Sequence, residues 1–577
     1  MRTVELVQDP AQPPAVGLPA GSSFYFRVNG VPVFAKGSNI VPIDLFEPRV
    51  THDRMRWLLE RAASANMNML RVWGGGRYQP DSFYDLADRL GLLVWQEMMF
   101  ACALYPRDAA FLELIAHEVK QQVARLAIHP SIVIWGGSNE NEFAISWYNE
   151  SRQNRDCYVA DYTKLYIDTM RPAIAASDAD GRPFVDSSPS NGLLATDPWV
   201  KRWGHPQAAS WGDVHYYNYD EDCEDPDTYP LARFISEHGF QSFPSFEGYR
   251  PVTWPEDRSR ESSLLFYRQR HQFGNEQVLA MLERHFHVPP ANVTPADRRN
   301  QSELFDDYLW LVQLQQARCY ETGLSQWRRL RSKPANTMGV LYWQLNDVWQ
   351  GPSWSTIELD GTLKLAHFAV GRAFEPLLLS ARDAHSGSPA SSLEVHLSSD
   401  HQVNISGTLH VQIIRWLDSP AVPAAEATAQ VTALALGSSC VWSAPIAPLL
   451  ARARVNRTAA FVRLMFEPEI NSPVKRLEAF HWLTVLKDAA LPLVAVHVVA
   501  VTIDSAEHAT VQLHSIATAA FVSLESHHVA GAFSDGAFTL LAGVTRKIDF
   551  TARHADEKQW ATFESGLRIR SLRDTYS

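Results

Sequence analysis

The chain has 577 residues, with 52 Lys and Arg against 64 Asp and Glu, a net charge of −12 at pH 7. That balance argues against nucleic acid and against an anionic membrane surface as partners. At 46% hydrophobic and 20% charged, with 34 prolines spread along it, the composition is that of a globular chain long enough for several domains.

The N-terminus, "MRTVELVQDPAQPPA", lacks the apolar core of a signal peptide, and no apolar run is long enough to span a bilayer. Taken literally this reads as cytosolic. Five Asn-x-Ser/Thr sequons, at Asn149, Asn292, Asn300, Asn404 and Asn456, point instead to a secretory history. The five cysteines are scattered without CxxC pairs or metal-ligand spacing, so no disulfide framework follows from them.

From about residue 23 to 378, short β-branched runs alternate with long amphipathic segments, the pattern of βα units. "VFAKGSNIV" reads as the first strand, followed by a helix over 53–65. "NMLRVWGGG", a helix over 80–90 and "LLVWQE" come next. Asp108 behind Pro106 is placed to cap a longer helix, on which Leu112, Ile115, Val119, Val123 and Leu126 share one face. "SIVIWGGSNE" is the fourth strand, and "PFVDSS", "DVHYY", "RFISEHG" and "MGVLYWQLND" supply four more. Long helical stretches over 260–285 and 301–330 precede the last of them. Eight such repeats fit a (β/α)8 TIM barrel. A doubly wound sheet would need a glycine-rich phosphate turn after the first strand, and none is there. After about 380 the texture turns to period-2 segments such as "LEVHL", "TLHVQIIRW", "FVRLMF" and "VQLHSI", which predicts two immunoglobulin-like β-sandwiches, 379–489 and 490–577.

In such a barrel chemistry sits at the C-terminal ends of the strands. The acids there are Asp44, Glu97, Glu140, Glu142, Asp186, Glu237 and Asp347. Most acids are solvated or salt-bridged, but two stand out by context. Glu140 closes the fourth strand behind an amide, Asn139, and Glu237 closes the seventh in "FISEHG". Two carboxylates facing each other across a barrel rim are what glycosidic cleavage requires. His215 lacks a second histidine at ligand spacing, so no metal is expected, and no motif implies a cofactor.

The stretches "RVWGGGRYQPDSFYDLADRLGLLVWQEMMFACALYP", "HPSIVIWGGSNENE", "GDVHYYNY", "RFISEHGFQSFPS" and "GVLYWQLNDVWQGPSWS" closely resemble the animal lysosomal β-mannosidases, in family 2 of the glycoside hydrolases. The resemblance implies retaining hydrolysis of terminal β-mannosides on glycoprotein oligosaccharides, a lysosomal location, and a monomer or weak homo-oligomer. It makes Glu140 the acid/base and Glu237 the nucleophile. It also places Asn139, Trp73, His215, Tyr216, Trp343, Asn346, Asp347 and Trp349 around the substrate, the tryptophans as pocket walls. Of the adjacent glutamates, Glu142 reads as a helix-start or salt-bridge residue. The acid should rest protonated, its affinity for protons raised by the neighbouring nucleophile's charge.

Two departures from the family pattern set further expectations. Ile40 stands in "KGSNIVP" where the family usually has an aromatic. "RTVELVQ" resembles the last strand of the immunoglobulin-like domain that precedes the barrel in the family, so residues 1–22 read as its remnant, with the earlier sandwich domains absent. The competing readings are a weakly active or inactive carbohydrate-binding remnant, and another family 2 specificity such as β-galactosidase or β-glucuronidase.

Overall fold

The computed structural model describes residues 2–13, 20–196, 206–293, 299–384, 392–472 and 474–576. Its largest sheet has eight parallel strands: β1 Ala35–Ile40, β2 Met69–Val72, β3 Leu93–Glu97, β4 Ile132–Gly136, β5 Phe184–Val185, β6 Val214–Tyr216, β7 Ile235–His238 and β8 Gly339–Tyr342. The hydrogen-bonded order is β5-β4-β3-β2-β1-β8-β7-β6, so β1 lies in the middle and pairs with both β2 and β8. Between β5 and β6 the ladder gives way to one antiparallel bridge, Ser190 to Asp213. The sheet therefore curls round in barrel order, with a looser seam at β5–β6. Each strand matches one of the eight read from the sequence.

The strands are rich in Val, Ile and Leu because they are covered on both faces, as parallel strands are. β1, β2, β4, β7 and β8 are buried along their whole length. The early helices fall where the sequence puts them. α1 His52–Ser64 is capped by the Thr51 side chain, which accepts from Arg54 N. α2 Asp81–Leu90 stops at Gly91, whose φ of 71° is the left-handed conformation that glycine adopts without strain. α3 Ala109–Leu126 opens on the Asp108 carboxylate, which accepts from Phe111 N, and it buries Ile115, Val119, Val123 and Leu126.

Residues Val4–Val7 pair antiparallel with Tyr25–Val28, which pair in turn with Val31–Val33. Phe24 and Phe26 share one apolar cluster with Met69, Trp95, Val133, Phe234 and Leu341, so this antiparallel piece packs into the interior of the strand array. A division at residue 22 therefore runs through a paired unit. These elements belong to a compact unit formed by Met1–Asn218, Asp227–Gly239 and Gln326–Trp349.

The second unit holds Tyr219–Pro226, Phe240–Ser325 and Gln350–Ser577. It contains the disulfide Cys223–Cys319 and two all-β bodies. In the first, the sheet of Leu377–Ala384, Ser392–Ser399 and Ser438–Pro445 shares a core with the sheet of Ile405–Arg415, Pro423–Ala433, Ala460–Pro468 and Leu477–Trp482. In the second, four strands (His497–Ile503, His508–His514, Gly531–Phe533 and Thr545–Ala552) share a core with three, Ala519–Ser526, Phe538–Leu540 and Leu567–Arg570. Alternation along Ile405–Arg415, where Ile405, Leu409, Val411 and Ile413 enter the core, is the period-2 signal of a strand with one buried face.

Candidate active site

Arg71, on β2, organises the strand ends. A fully buried guanidinium must have its donors answered, or desolvation makes it untenable. All five N–H groups have acceptors. Nε and Nη2 donate to Glu97 Oε1 at 3.1 and 2.7 Å, and Nη2 also donates to Asn139 Oδ1 at 2.6 Å. Nη1 donates to Asn39 Oδ1 at 2.5 Å and to Glu237 Oε1 at 2.6 Å. Both amides are turned for this. Asn39 Nδ2 donates to the carbonyls of Ser236 and Tyr342, and Asn139 Nδ2 faces Cys102 Sγ at 3.4 Å, leaving each Oδ1 to Arg71. Burial works against the Arg71 charge, but Glu97 and Glu237 outweigh it and raise its pKa. Burial pushes Glu97 up to about 7, against the pull of Arg71 and of the Gly74 N–H.

Glu237, at the end of β7, is buried and faces three polar side chains. Arg71 reaches Oε1; the Tyr217 hydroxyl reaches Oε2 at 2.7 Å, and His215 Nδ1 lies 3.4 Å from the same oxygen. Glu140 follows β4 in a left-handed turn (φ 59°) just before the short helix Asn141–Ala144. Its N–H donates to Ser188 O, its Oε1 lies 2.7 Å from His215 Nδ1, and its Oε2 lies 3.6 Å from Cys102 Sγ. Carboxylate oxygens of Glu140 and Glu237 and a His215 ring nitrogen all lie within 4.8 Å of one another. That proximity suits the carboxyl separation of about 5–5.5 Å used in retaining cleavage, against about 6.5–9.5 Å for inverting.

The electrostatics depart from the sequence expectation that Glu140 rests protonated. Burial alone would raise it, but the hydrogen bond and charge of His215 win and hold it below the usual carboxylate range. Burial opposes the His215 charge in turn, and Glu237 and Glu140 overcome it and raise its pKa. The expected like-charge effect of Glu237 is absorbed because Arg71 and Tyr217 already engage that carboxylate. The cysteine beside Glu140 is pushed up to about 12 by burial and by the Glu140 charge.

Glu140, His215 and Glu237 could together offer three ligand atoms to a cation. Arg71 and His215 already engage those two carboxylates, and we assign no metal there. Asp85, Asp88 and His129 form a second such group. There Asp88 is engaged by His129 Nδ1 and by Ser131 N, as a loop tie would be.

The other sequence candidates divide. Trp73 and Trp343 are both partly exposed and meet edge to face, with centroids 5.0 Å apart. The glycines after Trp73 are required by close approach: a Cβ on Gly75 would fall 2.1 Å from the indole. Trp349 is also partly exposed. Asn346 is buried and donates to the carbonyls of Val41 and Pro42, tying the loop after β8 to the one after β1, and Asp347 is buried next to it. Asn346 thus uses its amide N–H groups to hold backbone.

Tyr216 does not approach Glu237. Strand alternation sends His215 inward and Tyr216 to the opposite face, where its hydroxyl donates to Thr228 O and its ring packs with His238, Tyr229 and Trp327. The tyrosine on Glu237 is Tyr217, one residue beyond the strand. Glu142 lies in the first turn of the helix, as expected, and among the described residues it has no ion-pair partner. Burial and the charge of Asp186 push it well up. Of the remaining strand-end acids, Asp44 pairs with Arg54 at 2.7 Å, and Asp186 accepts from the Tyr162 hydroxyl. Sequence reasoning passed over Arg71, Asn39 and Tyr217. Arg71 had a signal: a charged residue inside the apolar run "NMLRVW" must face a polar interior.

Comparison with known proteins supports the same assignment of fold. A mannosidase Ig/CBM-like domain matches residues 391–488, and an Ig-fold domain matches residues 492–575. The chain is 38% identical to the β-mannosidase of Capra hircus and 39% to that of Bos taurus, each alignment covering 100% of this chain and 63% of the relative. Over its whole length the chain is similar to these β-mannosidases. It spans 63% of the length of those curated relatives, a little under two thirds. The β-mannosidase A of Emericella nidulans is 33% identical over 70% of this chain and 44% of its own length. Among solved structures, a β-D-mannosidase from Dictyoglomus thermophilum matches with a TM-score of 0.78 at 26% identity, over 99% of this chain and 63% of that one. An exo-chitosanase from Amycolatopsis orientalis, at TM-score 0.68 and 15% identity, covers 99% of this chain and 65% of its own and shares the fold.

Proposed function

We propose that the chain carries the catalytic machinery of a retaining exo-β-mannosidase, which removes terminal β-D-mannose from oligosaccharides of glycoproteins. The observation that carries this reading is the convergence of Glu140 and Glu237, with carboxylate oxygens and the His215 nitrogen within 4.8 Å of one another at the β4 and β7 ends. The names of the animal and fungal relatives support the choice of sugar.

In this mechanism Glu237 attacks C1 as Glu140 protonates the departing glycosidic oxygen, giving a glycosyl ester on Glu237. Glu140, now a base, takes a proton from water as it attacks C1 and frees Glu237. Arg71 and Tyr217 hold the Glu237 oxygens in place through attack and release. Trp73 and Trp343 present apolar ring surface to the sugar. No described helix is long and apolar enough to cross a membrane. The animal relatives and the sequons support a lysosomal setting for the activity.

Assay of the purified chain with aryl β-mannoside, β-galactoside and β-glucuronide side by side tests the specificity. Turnover of the mannoside at least about tenfold above the other two is expected, the discrimination that a few pocket contacts provide. Preference for another glycoside would move the chain to a different specificity on the same machinery.

A further inference from the structure

We infer that His215 is the proton store of the site: its Nε2 is fastened to Ser188, so that only Nδ1 exchanges a proton, and that proton is the one Glu140 delivers to the leaving group. The inference rests on the glycosidase reading above and adds to it a third proton-handling residue.

The argument is a count of hydrogens. Asp213 is buried just before β6 and accepts from the Ser236 hydroxyl at 2.5 Å, the Ser188 hydroxyl at 2.6 Å and Ser190 N at 2.8 Å. A serine has one hydroxyl proton. Ser188 gives its proton to Asp213, so only a lone pair of Ser188 Oγ faces His215 Nε2, 3.1 Å away. Nε2 must therefore carry hydrogen. Nδ1 is then the only ring position free to gain or lose a proton, and it lies 2.7 Å from Glu140 Oε1 and 3.4 Å from Glu237 Oε2. One proton belongs to the Nδ1–Oε1 contact: either imidazolium with carboxylate or imidazole with carboxylic acid.

The charges facing this contact decide between the two. Glu140 and Glu237 favour the imidazolium; Arg71, from β2, opposes it. Glu97 reaches the contact only through Arg71, Asp213 only through Ser188, and Cys102 faces the far oxygen of Glu140. In the resting site the proton is on Nδ1. As Glu237 bonds to C1 its negative charge is lost, and with it much of what kept His215 charged. The proton then crosses to Glu140, whose carboxyl turns about Cγ–Cδ and gives it to the glycosidic oxygen as the C1–O bond breaks. The products of that half are the neutral alcohol, the Glu237 ester, the Glu140 carboxylate and neutral His215. In the second half Glu140 removes a proton from the attacking water. The returning Glu237 charge draws that proton back to Nδ1.

A relay and a merely structural histidine differ in leaving-group dependence. In His215→Gln, kcat/KM for phenyl β-mannoside should fall about 100-fold, while 2,4-dinitrophenyl β-mannoside, which needs little protonation, loses less than about tenfold. The double variant His215→Gln/Glu140→Ala should be little slower than Glu140→Ala alone. Equal losses for both leaving groups, or losses that multiply in the double variant, would overturn the inference. Nitrogen-15 shifts of the imidazole in the wild-type chain need neither turnover nor a folded variant. Nε2 should stay protonated throughout, and Nδ1 should titrate; a neutral ring with its hydrogen on Nδ1 would also overturn it. If the wild type cleaves none of these glycosides, the function reading fails while the proton arrangement is still judged by those shifts.

Discussion

His215 and His285 are each buried between two carboxylates, one in the strand-end site, the other at the close of the helix Gly274–His285 in the second unit. At His285, Nε2 lies 2.9 Å from Asp222 Oδ1 and Nδ1 lies 2.9 Å from Gln315 Oε1. Gln315 is held in that sense because its Nε2 points at the sulfurs of the Cys223–Cys319 disulfide. Both ring nitrogens therefore face acceptors, an arrangement that favours the imidazolium. At His215 one nitrogen faces a serine lone pair and the other is shared between two glutamates. The same residue types give a fixed ion pair where every proton has one destination, and a transferable proton where one has two. Reactivity here is a matter of hydrogen-bond accounting more than of which residues are present.

The largest effect expected is at the charge that holds the strand ends together. Arg71→Met leaves Glu97 and Glu237 buried without their cation, and breaking such a pair costs about 3–5 kcal/mol. Chemical denaturation should show that loss, together with activity below detection. Survival of wild-type turnover would mean that Glu237 does not need its Arg71 contact, and would blur the contrast with the sealed pair at His285.

Glu140→Ala sharpens the comparison by removing the second destination of the His215 proton. An activated aryl mannoside should still form the glycosyl-enzyme, with turnover falling by about 10²–10⁴-fold. Added azide should restore turnover and yield the β-mannosyl azide after two inversions, read by NMR. An unaffected variant would shift the acid role towards Glu142 or elsewhere.

The smallest effect is expected at the fixed pair. Burial lowers the His285 pKa, but Glu224, Asp222 and Gln315 outweigh it and raise it above the ordinary histidine value of 6.5. Its contribution to stability is therefore fully present below about 6.5 and fades as pH rises through the folded value. Burial raises Asp222, but His285 and the Glu224 N–H outweigh it and lower it below 3.8, so that contribution holds above about 3.8 and fades as pH falls further. The pair supports the fold best between those limits. His285→Gln should cost roughly 1–2 kcal/mol at pH 5, discounted because the Asp222 side chain is 37% exposed, and less at pH 8. Activity should be unchanged. A loss that grows with pH would contradict the sign.

Much of this fold was legible from periodicity. The eight β-branched runs became the eight strands, Asp108 capped its helix, and the period-2 texture after 380 became sandwich cores. The glutamate pair was legible from strand-end position and family motif. What the sequence hid was direction. "DVHYY" shows two adjacent tyrosines, and only the turn at the end of β6 determines that Tyr217, not Tyr216, meets Glu237. "QLND" shows two polar residues after β8, and only the packing against the β1 loop commits the Asn346 amide to backbone carbonyls. The protonation of Glu140 also depends on which groups answer its neighbours, a count that needs three dimensions.

The central claim is that Glu237 is the group that bonds to the sugar. Incubation with 2-deoxy-2-fluoro-β-mannosyl fluoride slows both steps but release of the enzyme-bound sugar more, so the intermediate accumulates for peptide mass spectrometry. The mass of one fluorosugar on the peptide carrying Glu237, absent in Glu237→Gln, is the predicted result. A label on Glu140 or another carboxylate, or hydrolysis of an aryl mannoside with inversion at C1, would contradict it.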